Sequence, residues 1–218
     1  MMRVWIPVVS GLLVLAYPGA LSAVGAQPTP AITILVYNNA PVPDDLLRAA
    51  EGEADRIFAR AGVGVSWFDC SMEHPDVGAQ GPCRDGWGTI NMGLRVLANP
   101  PPATDPKTHL VDPRRPERLG FATCPGLASV YYDSRWRFAG DERALHLPMI
   151  LGVVIAHEVG HLLLGPDRHS RQGLMQPEWG SRQFHQATLR KLFFSEEESA
   201  DIRAGARRRM HVLAGTRP

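Results

Sequence analysis

The segment "VIAHEVGHLLLGPDRHSRQGLM" (154–175) contains the residues that are best suited to chemistry. It includes His157, Glu158 and His161 in an HExxH arrangement. Residues four apart on a helix lie on one face, so both imidazoles can reach one metal ion. A glutamate one step round the helix can take a proton from a water that the metal activates, without itself being a ligand. This spacing predicts a zinc site that hydrolyses carbonyl compounds.

A third ligand must come from outside this helix. Gly165 suits a left-handed helix end, and Pro166 disfavours continuation, so we expect "DRHS" to turn back towards the metal. His169 is the favoured ligand because imidazole is the better zinc ligand beside two other histidines. Asp167 is the alternative. Met175, in "GLM", is expected to turn beneath the site.

This arrangement resembles the metzincin group of zinc metallopeptidases, whose pattern is HExxHxxGxxH followed by a methionine turn. The first five positions match, whereas Gly165 comes one residue late and His169 two residues late. Asp167 stands at the third-ligand position of the strict count, and the metzincin-like snapalysins use aspartate there. The resemblance implies one zinc ion, Glu158 as general base, Met175 as a structural floor, and a peptide or protein substrate.

The resemblance also implies an edge strand before the active-site helix, on which a substrate could pair as an added antiparallel strand. "LASVYYDS" (127–134) occupies that place, and its tyrosines are expected to be half packed and half exposed rather than catalytic. Some metzincins use a tyrosine after the methionine turn to steady the oxyanion, but "QPEWG" follows Met175 here. The remaining histidines lack ligand spacing: His74, His109, His146, His185 and His211.

The surrounding elements follow the order β-α-β-β-β-β-α-α, read from hydrophobic periodicity and cap signals. Strands are predicted at 31–40, 63–70 and 89–98 and within "LGFATCPG" and "LASVYYDS"; helices are predicted at 43–62 and 141–164, with one or two more within 178–210, where Ser195 and Glu198 form a capping box. With the resemblance, this order implies an α+β, zincin- or metzincin-like fold. A mixed twisted sheet would pack on two long helices, with a C-terminal helical part.

Residues 1–26 are predicted to be a signal peptide, with Arg3, a short apolar core and small residues before a cleavage point after Ala23 or Ala26. An uncleaved anchor is the alternative. Residues 27–218 are then a single catalytic domain: 31–164 form the sheet and two helices, and 165–218 form the methionine turn and C-terminal helices. The destination is secreted or periplasmic, and we expect a monomer without stable membrane association.

Charge and cysteine content limit the possible functions. Arg3 is one of 23 lysines and arginines, so the chain after the signal carries 22 of them against 22 acidic residues. This balance argues against nucleic-acid binding. Export permits a disulfide. Cys70 and Cys83 flank a Gly- and Pro-rich loop and form the favoured pair, with Cys70 to Cys124 as the alternative.

Three functional hypotheses follow from these residues. The leading one is a secreted, single-domain zinc endopeptidase. The second is a metzincin-like domain that holds zinc without useful peptidase activity, motivated by the shifted spacing and the missing tyrosine. The third is a small exported domain without metal.

Overall fold

The structure is a computed structural model. It describes residues 28–71, 81–88, 90–99, 119–123, 125–132 and 141–215, and within these the side chains of 141–145 and 213–215 are not described. The predicted signal peptide, Cys124, His74 and His109 lie outside the described residues.

The chain forms a mixed α/β fold with a five-stranded mixed sheet and helices. The strands are β1 (Ala31–Asn39), β2 (Gly64–Asp69), β3 (Met92–Ala98), β4 (Gly120–Thr123) and β5 (Leu127–Tyr132); the helices are α1 (Asp44–Arg60), the four-residue α2 (Pro82–Asp85), α3 (Asp141–Leu164), α4 (Ser181–Thr188) and α5 (Glu196–Gly215). The predicted order of strands and helices is confirmed, with α2 added among the described residues and with two helices, α4 and α5, in the C-terminal part where one or two were expected.

The sheet has the strand order β2-β1-β3-β5-β4. Strands β2, β1, β3 and β5 pair in parallel, and β4 pairs antiparallel with β5, placing Gly120 opposite Val130. The prediction that 127–134 is an edge strand is therefore wrong, because β4 covers the outer side of β5. All six residues of β5 are buried, including Tyr131 and Tyr132, which were expected to be half exposed. Continuous burial is typical of an interior strand, and "LASVYY", which has no charged residue, fits it.

Helix α1 packs against α3 and contacts β2, and α3 contacts β3, β4 and β5. In α1, Leu47, Ala50, Ala54 and Ile57 recur at helical spacing and are all buried. The two helices lie close together at Gly152 of α3, where an added Cβ would lie 2.5 Å from the carbonyl oxygen of Ala50. Segment His146–Leu164 is long and apolar enough to cross a membrane, but 78% of it is buried inside the fold, as in a core helix.

Two local predictions are confirmed. Cys70 and Cys83 form a disulfide. At the start of α5, the Glu198 backbone N–H donates to Ser195 Oγ at 3.2 Å, and the Ser195 N–H donates to Glu198 Oε2 at 2.7 Å. This capping box satisfies two backbone donors at the helix N-terminus, and so fixes where the last helix begins.

Candidate metal centre

Three histidines converge at the C-terminal half of α3. One potential ligand atom from each of His157, His161 and His169 lies within 4.8 Å of the others. The Nε2 atoms of His157 and His161 are 3.2 Å apart. Two ligands in a tetrahedral zinc site with bonds of 2.0–2.1 Å would be separated by about 3.3 Å. The two helical histidines therefore already have the spacing of a zinc-ligand pair.

Backbone carbonyls assign the proton of each helical imidazole. His157 Nδ1 lies 2.9 Å from the Leu174 carbonyl oxygen, and His161 Nδ1 lies 3.3 Å from that of Gly165. A carbonyl only accepts hydrogen bonds, so each Nδ1 carries the proton and donates it. Each Nε2 then presents a lone pair to the cluster, which is the form of histidine that binds metal.

Burial keeps these two imidazoles neutral. The pKa of His157 is lowered to about 4, first because burial disfavours the charged ring and further because of its neighbours His161 and His169, while the bond to Leu174 opposes the shift. Burial also lowers the pKa of His161. Neutral imidazoles are the ligand form, so no proton need be displaced from either Nε2 at neutral pH.

His169 completes the cluster from an exposed loop. The loop begins at Gly165, which ends the helix in a left-handed conformation with φ of 109°. The Ser170 N–H donates to the Met175 carbonyl at 2.9 Å, and Arg168 pairs with Asp201 of α5 at 2.6 Å. The structure does not include the exposed Asp167 in the ligand group.

The Glu158 side chain lies beside the edge strand β4. It is buried and packs on Gly120 of β4, where an added Cβ would lie 2.6 Å from Glu158 Cγ and 2.7 Å from Oε1. The same Cβ would lie 2.7 Å from the Ser129 carbonyl oxygen. Gly120 therefore leaves the space that Glu158 occupies between α3 and the edge strand. No motif in the sequence singles out this glycine.

Met175 lies beneath the histidine helix. It is fully buried, and its Sδ would be 3.1 Å from a Cβ at Gly160. The preceding residue, Leu174, is held by its N–H, which donates to the Phe193 carbonyl oxygen at 2.9 Å. The segment after the loop thus packs on α3 through Met175 and orients His157 through Leu174.

Sequence reasoning missed Trp179, which contacts His157. The two rings meet edge to face with centroids 5.6 Å apart, and the indole Nε1–H donates to the Gln176 carbonyl oxygen at 3.1 Å. The sequence analysis considered "QPEWG" only for its missing tyrosine. The tryptophan four residues after Met175 was the available signal, and it is partly buried in the structure. Of the other described histidines, His185 and His211 are exposed, and His146 has a buried Nδ1 without a hydrogen-bond partner.

Comparison with known proteins shows a likeness to solved structures and no family. No protein-family model matches the chain. No curated protein matches it either. Among solved structures, the chain is similar to archaemetzincin from Methanopyrus kandleri, with 16% identity and a TM-score of 0.47 over 84% of this chain and 99% of that one. At that identity and TM-score, the likeness does not define what this chain does.

Proposed function

We propose that the chain is an exported zinc metallopeptidase that binds one zinc ion through His157, His161 and His169. The observation that supports this most directly is the pair of Nε2 lone pairs that face each other at 3.2 Å. The lone pairs of two neutral imidazoles in this orientation repel each other unless both bind a cation. His169 supplies a third nitrogen for that cation. The chemistry and spacing of this donor set fit zinc.

Three protein ligands leave one position of a tetrahedral site open, which distinguishes catalytic from structural zinc sites. When bound, zinc would polarise a substrate carbonyl and lower the pKa of a water in the open position. Glu158, one residue after the first ligand, would accept the proton of the attacking water and return it to the leaving amine. Its burial against Gly120 holds the carboxylate between the helix and the edge strand.

The substrate we propose is a peptide or protein segment. Strand β4 lies at the edge of the sheet and next to Glu158, so an extended chain could pair with it while a carbonyl lies near the histidines. Cleavage within a chain, rather than at its end, fits an extended segment lying along such an edge. Export in the signal-directed pathway is part of this proposal.

A Glu158→Gln variant tests the proposal. We expect wild type to hold about one zinc per chain and to cleave unfolded protein substrates, while the variant keeps the zinc and loses at least about a hundredfold in cleavage rate. Elemental analysis and a fluorescent-casein assay measure the two quantities. Zinc in both proteins with equal lack of cleavage would favour a zinc-binding domain instead, and wild type without zinc would overturn the proposal.

A further inference from the structure

A charged side chain, Glu53 of α1, lies buried against α3 on the side of α1 that faces the core. Glu53 is only 1% exposed, and a Cβ added at Gly152 would lie 2.7 Å from the Cβ of Glu53. Its Oε2 lies 3.0 Å from Arg56 Nε and 3.0 Å from Arg190 Nε. A buried carboxylate persists only with such partners. We call Glu53, Arg56 and Arg190 the Glu53 clamp.

The Glu53 clamp fixes the linker between α4 and α5. Arg190 has a left-handed backbone with φ of 55°, which is uncommon for a residue other than glycine and is maintained by its surroundings. Arg56 also donates from its guanidinium to the Arg190 carbonyl oxygen at 3.4 Å. Three residues further on, the ring of Phe193 lies under the guanidinium groups of Arg56 and Arg60, at 4.7 and 4.1 Å.

The linker in turn contacts the metal centre through the backbone. The Phe193 carbonyl oxygen accepts from the Leu174 N–H, and the Leu174 carbonyl oxygen accepts from His157 Nδ1–H, both at 2.9 Å. The next residue, Phe194, packs against Gly160 of α3, and its ring would lie 2.9 Å from a Cβ added at that glycine. A displacement of the linker would therefore move the carbonyl group that orients His157.

We propose that Glu53 is a positioning residue for His157, acting through Arg56, Arg190 and the backbone of Phe193 and Leu174. This inference rests on the proposed zinc site. The carboxylate does not touch the metal ligands; it fixes two arginines, which hold the linker, and the linker holds the carbonyl that sets the ring orientation and tautomer. Hydrogen-bond partners of metal-bound histidines typically change metal affinity by about 10- to 100-fold when lost.

The alternative is that the Glu53 clamp stabilises the fold and nothing more. That role would lower the stability of a Glu53→Gln variant but leave the zinc affinity of its folded molecules unchanged. The positioning role changes both. Glutamine keeps the shape of the side chain and removes the charge that holds the two arginines, so it isolates the clamp from the packing around Gly152.

The decisive experiment measures the zinc dissociation constant by competition with a chromophoric chelator, at a temperature where circular dichroism shows every variant folded. The proteins are wild type, Glu53→Gln, Arg190→Gln and the control Val36→Ala, a buried truncation in β1 that lowers stability away from the linker. We expect the two clamp variants to bind zinc about fivefold or more weakly, and Val36→Ala to match wild type. The visible spectrum of the cobalt-substituted protein should change in the clamp variants only.

Arg190→Gln keeps the test decisive if Glu53→Gln does not fold, because the Arg190 side chain is 54% exposed and its replacement leaves Glu53 paired with Arg56. The double variant Arg190→Gln with Phe193→Leu, measured beside both single variants, checks whether the arginines hold the Phe193 backbone through its ring. If the Glu53 clamp acts through that ring, the losses in zinc affinity will be less than multiplicative.

Dissociation constants within twofold of wild type in both clamp variants would overturn the inference while leaving the zinc site intact. Fully multiplicative losses in the double variant would overturn the proposed route through Phe193. A wild-type chain that binds no zinc would overturn the proposed function and this inference together. Zinc binding without peptide cleavage would overturn only the peptidase part of the proposed function, and the dissociation constants would still decide the role of Glu53.

Discussion

The three histidines contribute unequally to the candidate site, and the third determines which kind of site it is. His157 and His161 are buried on one helix, whereas His169 is exposed on the loop that follows. The strict metzincin count had left Asp167 as an alternative ligand. In the structure the negative charge of Asp167 instead acts to raise the pKa of His161. Burial has the larger effect, and the pKa of His161 is lowered overall.

Replacing the two candidate third ligands separates them. We expect His169→Ala to fall from about one zinc per chain to near zero after dialysis, because two imidazoles alone do not make a stable zinc site. Asp167→Ala should keep its zinc, since it removes only a nearby charge. Elemental analysis of both proteins beside wild type measures this. Zinc lost from Asp167→Ala and kept by His169→Ala would mean that the loop adopts the aspartate-type arrangement.

The residue types of the site could be predicted, but their supports could not. A spacing of four residues places His157 and His161 on one face of any helix, whatever the rest of the fold does. Leu174 acts through its backbone carbonyl, and every residue has such a group, so the residue type does not reveal this role. Gly120 matters because it has no Cβ in the space that the Glu158 side chain occupies. That arrangement exists only after β4 and α3 have packed together.

At the scale of elements, β4 holds the edge position that the sequence analysis had given to β5, and the proposed substrate pairing moves to β4 with it. Both segments show strand character, and periodicity does not reveal which one lies outside the other. The four-residue strand β4 pairs antiparallel with β5 and covers its outer side, and this pairing makes β4 the edge strand. The sequence of β5 was nevertheless a signal of an interior strand, because it has no charged residue and does not alternate polar with apolar side chains.

A methyl group at Gly120 tests whether β4 sets the position of Glu158. We expect Gly120→Ala to keep zinc and lose about tenfold or more in kcat/KM, because the added Cβ would displace the carboxylate, and small misplacements of catalytic groups cost up to about 100-fold. Peptide cleavage and zinc content are measured together. The matched control is Gly64→Ala in β2, whose Cβ would meet only Ala31 Cβ at 3.8 Å. Equal activity of Gly120→Ala and Gly64→Ala would contradict this role.

At the scale of the whole molecule, the neutral histidines make the stability of the metal-free protein depend on pH. His157 has a pKa of about 4 when folded and an ordinary value of 6.5, so between these values the unfolded chain binds more protons. Its contribution is fully present above pH 6.5 and is lost as the pH falls towards 4, where the loss approaches about 3 kcal/mol. The lowered pKa of His161 acts in the same direction.

Urea unfolding of metal-free protein at pH 7 and pH 4.5 measures this dependence. We expect His157→Asn to lose less stability than wild type over that interval, because the variant has no buried imidazole to protonate at this position. His185→Gln is the control, since His185 is exposed and should leave the wild-type slope unchanged. An identical slope in wild type and His157→Asn would show that other groups account for the acid sensitivity.

The division of the three histidines between a buried helix and an exposed loop would also have a kinetic consequence for the proposed zinc site. The loop is held to α5 by Arg168 and Asp201, whose side chains are each about half exposed, 49% and 50%. Ions in solution screen such a pair. Metal exchange should therefore begin when the loop lifts His169 away and leaves the ion on two nitrogens. A chelator would then remove zinc at a rate set by loop opening, and added salt would speed the release.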